Sequence, residues 1–152
     1  MPAEGMVHAL EICWELLALD GCIIDVHPTG EPPPIEAHSA GQIYPLGHIQ
    51  EIDGFVEYGQ ATAALSNCVE RGLYVRESQD KFDFITRAAS LDELREYLSA
   101  TWSDAIIPEE VEAQMELIGL SQTEKWAADC EIWLREPISI SRLNKHPFPN
   151  IY

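Results

Sequence analysis

The first 70 of the 152 residues contain no lysine or arginine. That segment carries 11 acidic residues, and the rest of the chain carries 15 acids together with all 9 bases, for a formal net charge of -17. A protein of this charge repels phosphate backbones and anionic lipid. We therefore expect neither nucleic acid nor a membrane surface as a partner.

Cysteine motifs and long apolar runs are also missing. The four cysteines form no CxxC pair, and three of them lie in apolar runs, where a thiol behaves as a small hydrophobe. We expect four reduced, buried thiols. No apolar stretch approaches the roughly 20 residues of a membrane span, and the N-terminus has no basic region followed by a small-residue cleavage site. These absences predict a cytoplasmic protein.

Glycine-rich phosphate loops are absent as well, because neither GxG nor GxxxxGK occurs in the chain. Such loops use glycine so that backbone N–H groups can approach phosphate closely. The sequence therefore disfavours binding of ATP or a dinucleotide through loops of this kind, and we expect no cofactor.

Helical and strand-like patterns follow one another along the chain, and 46% of the residues are hydrophobic. This predicts one α/β or α+β domain over residues 1–145, with a mixed sheet of about five or six strands, packed helices, and an extended tail over 146–152. A capping box at Ser90 and Glu93 marks the start of the third helix. The predicted helices cover 6–19, 55–71, 91–101 and 108–118, and the predicted strands cover 22–26, 35–39, 42–49, 73–77, 81–87 and 130–141.

The first helix ends at Asp20-Gly21 and leads directly into the run Cys22 to Val26. A short apolar run of this kind is typical of a strand that is covered on both faces. Helix, tight turn and strand form half of a βαβ unit, and only Met1 to Gly5 precede the helix. We therefore expect the first strand of that unit to be missing.

Four polar residues are the candidate ligand-binding site: Asp25, His27, His38 and His48. Asp25 lies near the carboxyl end of an apolar strand, where a carboxylate is either hydrogen-bonded or faces a crevice. One interpretation places a small-molecule or metal site in the loop after Val26, and the other has Asp25 cap that loop after Pro28. The histidines have neither HxH nor HxxxH spacing, so scattered surface histidines are the simpler interpretation, and we predict no metal.

The segment Ala37-His38-Ser39-Ala40-Gly41 resembles the alanine variant of the nucleophile elbow in some lipases. An elbow needs a buried strand before the serine and a helix after it. Here Pro32, Pro33 and Pro34 come before the segment and Pro45 follows it. We therefore interpret Ser39 as a turn residue.

The run from Ala9 to Val26 resembles the segment of class I S-adenosylmethionine-dependent methyltransferases that enters their fifth strand. Leu19-Asp20-Gly21-Cys22 stands where that family has a Leu-(Lys or Arg)-Pro-Gly-Gly turn. The later helices and strands also look like the second half of the family's fold. The resemblance implies a C-terminal half of a methyltransferase-like protein without the glycine-rich cofactor loop. S-adenosylmethionine enters only through this resemblance, which implies no methyl transfer by the chain alone.

Two classes of function remain open from the sequence. In the first, the chain is a methyltransferase-like domain that acts by self-association or by binding a small ligand. A homodimer is expected, because an apolar strand at a sheet edge needs cover from a second copy of that strand or of the Met6 helix. In the second, it is a small enzyme that uses Asp25 with His27, His38 or His48 as acid, base or metal ligand, or, through the resemblance, a diverged S-adenosylmethionine-dependent methyltransferase.

Overall fold

A computed structural model describes residues 3–118 and 130–148. Within those ranges it contains four helices and seven strands, and the α+β class is confirmed. The helices are α1 (Ala3–Leu16), α2 (Val56–Glu70), α3 (Leu91–Thr101) and α4 (Glu109–Leu117). The strands are β1 (Cys22–Pro28), β2 (Pro34–Ser39), β3 (Gln42–His48), β4 (Gln50–Glu51), β5 (Tyr74–Ala88), β6 (Ala105–Ile106) and β7 (Glu131–Lys145).

The chain divides into two compact units. Of the described residues, unit 1 contains 3–31, 55–82 and 137–148. Unit 2 contains 32–54, 83–118 and 130–136. The long strands β5 and β7 contribute residues to both units. These strands are antiparallel, because Glu77 contacts Arg142 whereas the later Asp83 contacts the earlier Arg135.

In unit 1, β1 pairs antiparallel with the second half of β7, from Cys22 opposite Asn144 to Pro28 opposite Ile138. One face of this pair lies against the helices, and its core is a cluster of Leu65, Cys68, Tyr74 and Leu143 with partly buried residues of α1 around it. The other face of β1 is open, since Ile24 is 58% exposed and Val26 is 54% exposed. The prediction of a strand covered on both faces within a βαβ unit was therefore wrong.

In unit 2, β2 lies between β3 and the first half of β7, and both pairings are antiparallel. The hairpin turns at Ala40 and Gly41, which both have positive φ. The buried residues of this unit include Ile35, Leu46, Leu94, Val111 and Leu134. Helix α4 comes very close to β3, because a Cβ built on Gly47 would lie 2.9 Å from a methyl group of Val111.

Several predicted boundaries differ from the structure. The strands expected over 73–77 and 81–87 form one continuous strand, β5. Buried positions along β7 are even as far as Ile138 and odd from Ser139 onward. Strand β7 also continues to Lys145, beyond its predicted end.

The prediction of four buried thiols was wrong. Cys13 is exposed, whereas Cys68 and Cys130 are buried and Cys22 is intermediate. Phe148, in the predicted tail, is exposed. The tail beyond Phe148 lies outside the described residues. Among the helices that are described, none is long and apolar enough to cross a membrane.

Candidate functional site

Strand β1 places Asp25 and His27 on the same face, because residues two apart in a strand point the same way. His27 Nδ1 lies 2.6 Å from Asp25 Oδ2. The side chain of His27 is 13% exposed and that of Asp25 is 21% exposed. In neutral His27, a proton on Nδ1 donates to the carboxylate and leaves Nε2 as a hydrogen-bond acceptor.

A hydroxyl from α2 meets that second ring nitrogen. Thr62 Oγ1 lies 3.1 Å from His27 Nε2. The Thr62 hydroxyl also donates to the backbone carbonyl of Tyr58 at 3.2 Å, one turn earlier in the helix, and its single proton serves one of these two acceptors at a time. Carboxylate, imidazole and hydroxyl thus form one continuous chain within unit 1, and we call Asp25, His27 and Thr62 the unit 1 triad.

Strand β7, which pairs with β1, places two serines opposite Asp25 and His27. Ser141 is the register partner of Asp25, and Ser139 is that of His27. Both serines are buried. Ser139 Oγ accepts a hydrogen bond of 3.4 Å from Gln79 Nε2. The polar cluster therefore continues across β7.

His38 belongs to β2 in unit 2, whereas the three triad residues belong to unit 1. Its ring stacks on Trp133 with the ring centroids 3.8 Å apart and the planes 13° apart. His38 Nε2 lies 3.0 Å from Glu36 Oε2, and Arg87 covers the Trp133 ring at 4.3 Å. These contacts hold the His38 ring within a stack of side chains in unit 2.

Glu36 connects this stack to Arg135, whose guanidinium lies 3.1 Å from the Glu36 carboxylate and 3.0 Å from that of Asp83. Burial alone would raise the pKa of Glu36, but hydrogen bonds from Arg135 and His38 outweigh it and lower the pKa below its usual value. The carboxylate is thus held in its charged form.

His48 is also separate from the unit 1 triad. It is exposed and pairs with Pro34 at one end of the hairpin, whereas His38 pairs with Ile43 near the other end. Of the four candidate residues, the structure joins Asp25 with His27 by a hydrogen bond. No group of three or more His, Cys, Asp or Glu side chains in the described residues is arranged to hold a metal ion.

The two simpler interpretations of the sequence have different outcomes. Asp25 does not cap the loop after Pro28, because its carboxylate is hydrogen-bonded to His27. In that loop the Thr29 hydroxyl accepts a hydrogen bond from the Glu31 amide instead. Ser39 does end a strand that turns into another strand rather than into a helix, as its interpretation as a turn residue predicted.

An open cavity of about 400 Å³ lies between the two helices of unit 1. It is lined by Val7, His8 and Glu11 from α1 and by Ala63, Ala64 and Asn67 from α2. None of the predicted site residues lines this cavity. The Arg71 guanidinium, at 2.7 Å, lowers the pKa of Glu11 chiefly through its hydrogen bond.

The open edge of unit 1 is a second candidate surface. Strand β1 ends the strand order of its sheet, so among the described residues no strand pairs with its outer edge. Ile24 and Val26 lie on the open face of this strand. We call the outer edge of Cys22–Pro28, with these two side chains, the β1 edge.

Comparisons with models of protein families, with curated proteins and with solved structures each find no match. The resemblance to methyltransferases therefore stays a prediction, and the functional inferences rest on the residues of this chain.

Proposed function

We propose that the protein functions by self-association, as a homodimer in which the β1 edge pairs with the same edge of a second copy. The observation that carries this proposal is an unprotected apolar edge strand, in which Ile24 and Val26 are both more than half exposed. An unpaired row of N–H and C=O groups beside apolar side chains is a template for strand addition. The proposal assigns no methyl transfer to the chain itself.

The other outer strands of the sheet carry features that protect an edge. Strand β3 contains Pro45, which has no N–H to donate to an added strand. The exposed stretch of β5 carries Glu77, Asp80, Lys81 and Asp83, and charged side chains discourage pairing. In β1, by contrast, Asp25 is the single charged residue, and its carboxylate is engaged by His27.

Antiparallel pairing of two β1 strands is self-complementary, as a twofold dimer requires. With the axis at Asp25, Ile24 of each copy lies directly opposite Val26 of the other on the open face. The open face would then carry two apolar cross-strand pairs at the junction. The two Asp25 residues lie opposite each other on the other face, where each carboxylate has its own His27 partner, and their repulsion opposes pairing.

Replacing Ile24 by lysine tests this interface, because a lysine at that position places a charge at the centre of the pairing. We expect wild-type protein at micromolar concentration and high salt to be mainly dimeric and Ile24→Lys to be monomeric, both measured by light scattering after gel filtration. The substitution is on an exposed position, so the far-ultraviolet circular dichroism should not change.

Ile43→Lys is the matched control. Ile43 is 57% exposed and lies on β3, the other end of the strand order. This variant should remain dimeric, since β3 takes no part in the proposed contact. A dimer that survives Ile24→Lys, or one lost equally in Ile43→Lys, would contradict the proposal.

A further inference from the structure

We propose that the unit 1 triad is an acyl-transfer site, in which Thr62 is the nucleophile, His27 the general base and Asp25 the residue that positions the imidazole. The substrate class is a small ester that is neutral or cationic. This activity is independent of the dimer, because all three side chains come from β1 and α2 of one copy.

The burial of the three side chains suits this chemistry, in which the base and its positioning carboxylate are shielded from water and the nucleophile is accessible to a substrate. Asp25 and His27 are mostly buried, whereas Thr62 is exposed on α2. A base that is shielded from water and oriented by a carboxylate keeps its accepting nitrogen directed at the hydroxyl. The distances of 2.6 Å and 3.1 Å along the chain are both within hydrogen-bond reach.

Open surface lies beside the hydroxyl because of Gly59. This glycine is in the interior of α2, three residues before Thr62 and therefore on the same side of the helix. A Cβ at this position would meet nothing within 4 Å. Packing therefore does not require glycine here, although glycine destabilises a helix interior by about 1 kcal/mol relative to alanine. In this proposal, position 59 is glycine because the absence of a side chain leaves room for a substrate beside Thr62.

The proposed reaction has two steps. The Thr62 hydroxyl turns from the Tyr58 carbonyl toward His27 Nε2, and its Oγ1 attacks the ester carbonyl carbon as the proton passes to the imidazole. The ester C–O bond then breaks, and the leaving alcohol takes that proton. Water then attacks the acyl-Thr62, again giving its proton to His27, and the carboxylic acid is released as Thr62 recovers its proton. The net reaction is ester plus water to acid plus alcohol, so no further reactant is needed.

The position of Thr62 within α2 limits the range of substrates. Backbone N–H groups in a helix interior bond the carbonyls of the preceding turn, so they do not serve the developing oxyanion. Acylation therefore depends on a leaving group that departs easily. The excess of acidic residues in the first 70 positions also disfavours anionic esters.

The test is acetylation of the full chain by p-nitrophenyl acetate, followed by mass spectrometry of the peptide that contains Thr62. We expect one acetyl group on Thr62 in the wild type, and Thr62→Ser should still be labelled. Thr62→Val should not be labelled at this position. His27→Gln should slow labelling about 100-fold or more, which is the usual contribution of a general base.

Thr101→Val is the matched control, since Thr101 in α3 donates to the carbonyl of Tyr97 four residues earlier, as Thr62 does to Tyr58. Nitrophenol release should be unchanged in this variant. Gly59→Ala should raise the thermal unfolding temperature but slow the labelling, which a purely structural triad would not do. A wild type without an acetyl group on Thr62, equal rates of Thr62 labelling in His27→Gln and wild type, or equal nitrophenol release in Thr62→Val and wild type would overturn the proposal.

Discussion

Tyr74 shows at the scale of one residue how the core of unit 1 is held together. Its side chain is 1% exposed, and its hydroxyl donates a hydrogen bond of 2.7 Å to the backbone carbonyl of Leu10 in α1. Burial raises the pKa of the phenol to about 12, chiefly because the charged form would lose its hydration. The neutral phenol therefore connects β5 to α1.

Tyr74→Phe should lower the free energy of unfolding by about 1 kcal/mol at neutral pH, because one hydrogen bond is removed. The raised pKa gives the sign of the pH dependence. The stability that the neutral Tyr74 phenol contributes is fully present below pH 10.0, the ordinary pKa of tyrosine, and is lost as pH rises through the raised pKa of about 12. Urea unfolding of both proteins should show the wild-type advantage shrinking within that alkaline window. A constant difference would contradict this account of the phenol.

Some contacts of the candidate site are predictable from local sequence and others are not. The two-residue spacing of Asp25 and His27 on a strand is sufficient to place them on one face. Thr62 lies 35 residues from His27, and its role depends on how α2 packs over β1. The stacking of His38 on Trp133 was not predictable locally, because Trp133 comes from a distant strand.

The start of α3 shows at the scale of an element where local chemistry decides the structure. The Ser90 side chain accepts from the Glu93 amide at 3.1 Å, and the Glu93 carboxylate accepts from the Ala89 amide at 2.6 Å. These are the reciprocal bonds that the sequence predicted, except that the second donor is one residue earlier than expected. Caps depend on neighbouring residues alone, which is why this boundary was predictable.

Ser90→Ala should therefore destabilise the protein by about 1 kcal/mol in urea unfolding, as the loss of an N-terminal cap does. Ser99→Ala in the same helix is the control, since that exposed hydroxyl donates to the Glu96 carbonyl and caps no free amide. Equal losses of stability in the two variants would show that the cap has no special role.

Strand β5 is the element for which local signals failed. Ser78, Gln79 and Asp80 look like turn residues, yet the strand runs through them. The partner strand β7 explains this continuity. Its Arg142 forms an ion pair with Glu77 before these residues, and its Arg135 forms one with Asp83 after them. Pairing with a long strand overrides a weak local turn preference. The sequence of residues 73–87 by itself gives no information about pairing with β7.

At the scale of the whole molecule, the hydrophobic patterns predicted the α+β class and most elements, but not the way the strands pair. The helix and strand up to Val26 suggested a parallel βαβ arrangement, whereas β1 pairs antiparallel with β7 at the far end of the sequence. The open edge that results is the basis of the proposed homodimer. The net charge of -17 on each copy acts against association, because like charges repel.

Sedimentation velocity of the unmodified protein, over a range of concentrations at low and at high salt, tests the proposed homodimer most directly. We predict a monomer–dimer equilibrium at micromolar concentration that shifts toward dimer at high salt, because salt screens the repulsion between acidic copies and leaves the apolar contact intact. A single monomeric species at micromolar concentration, or a dimer that dissociates as salt is added, would contradict the account.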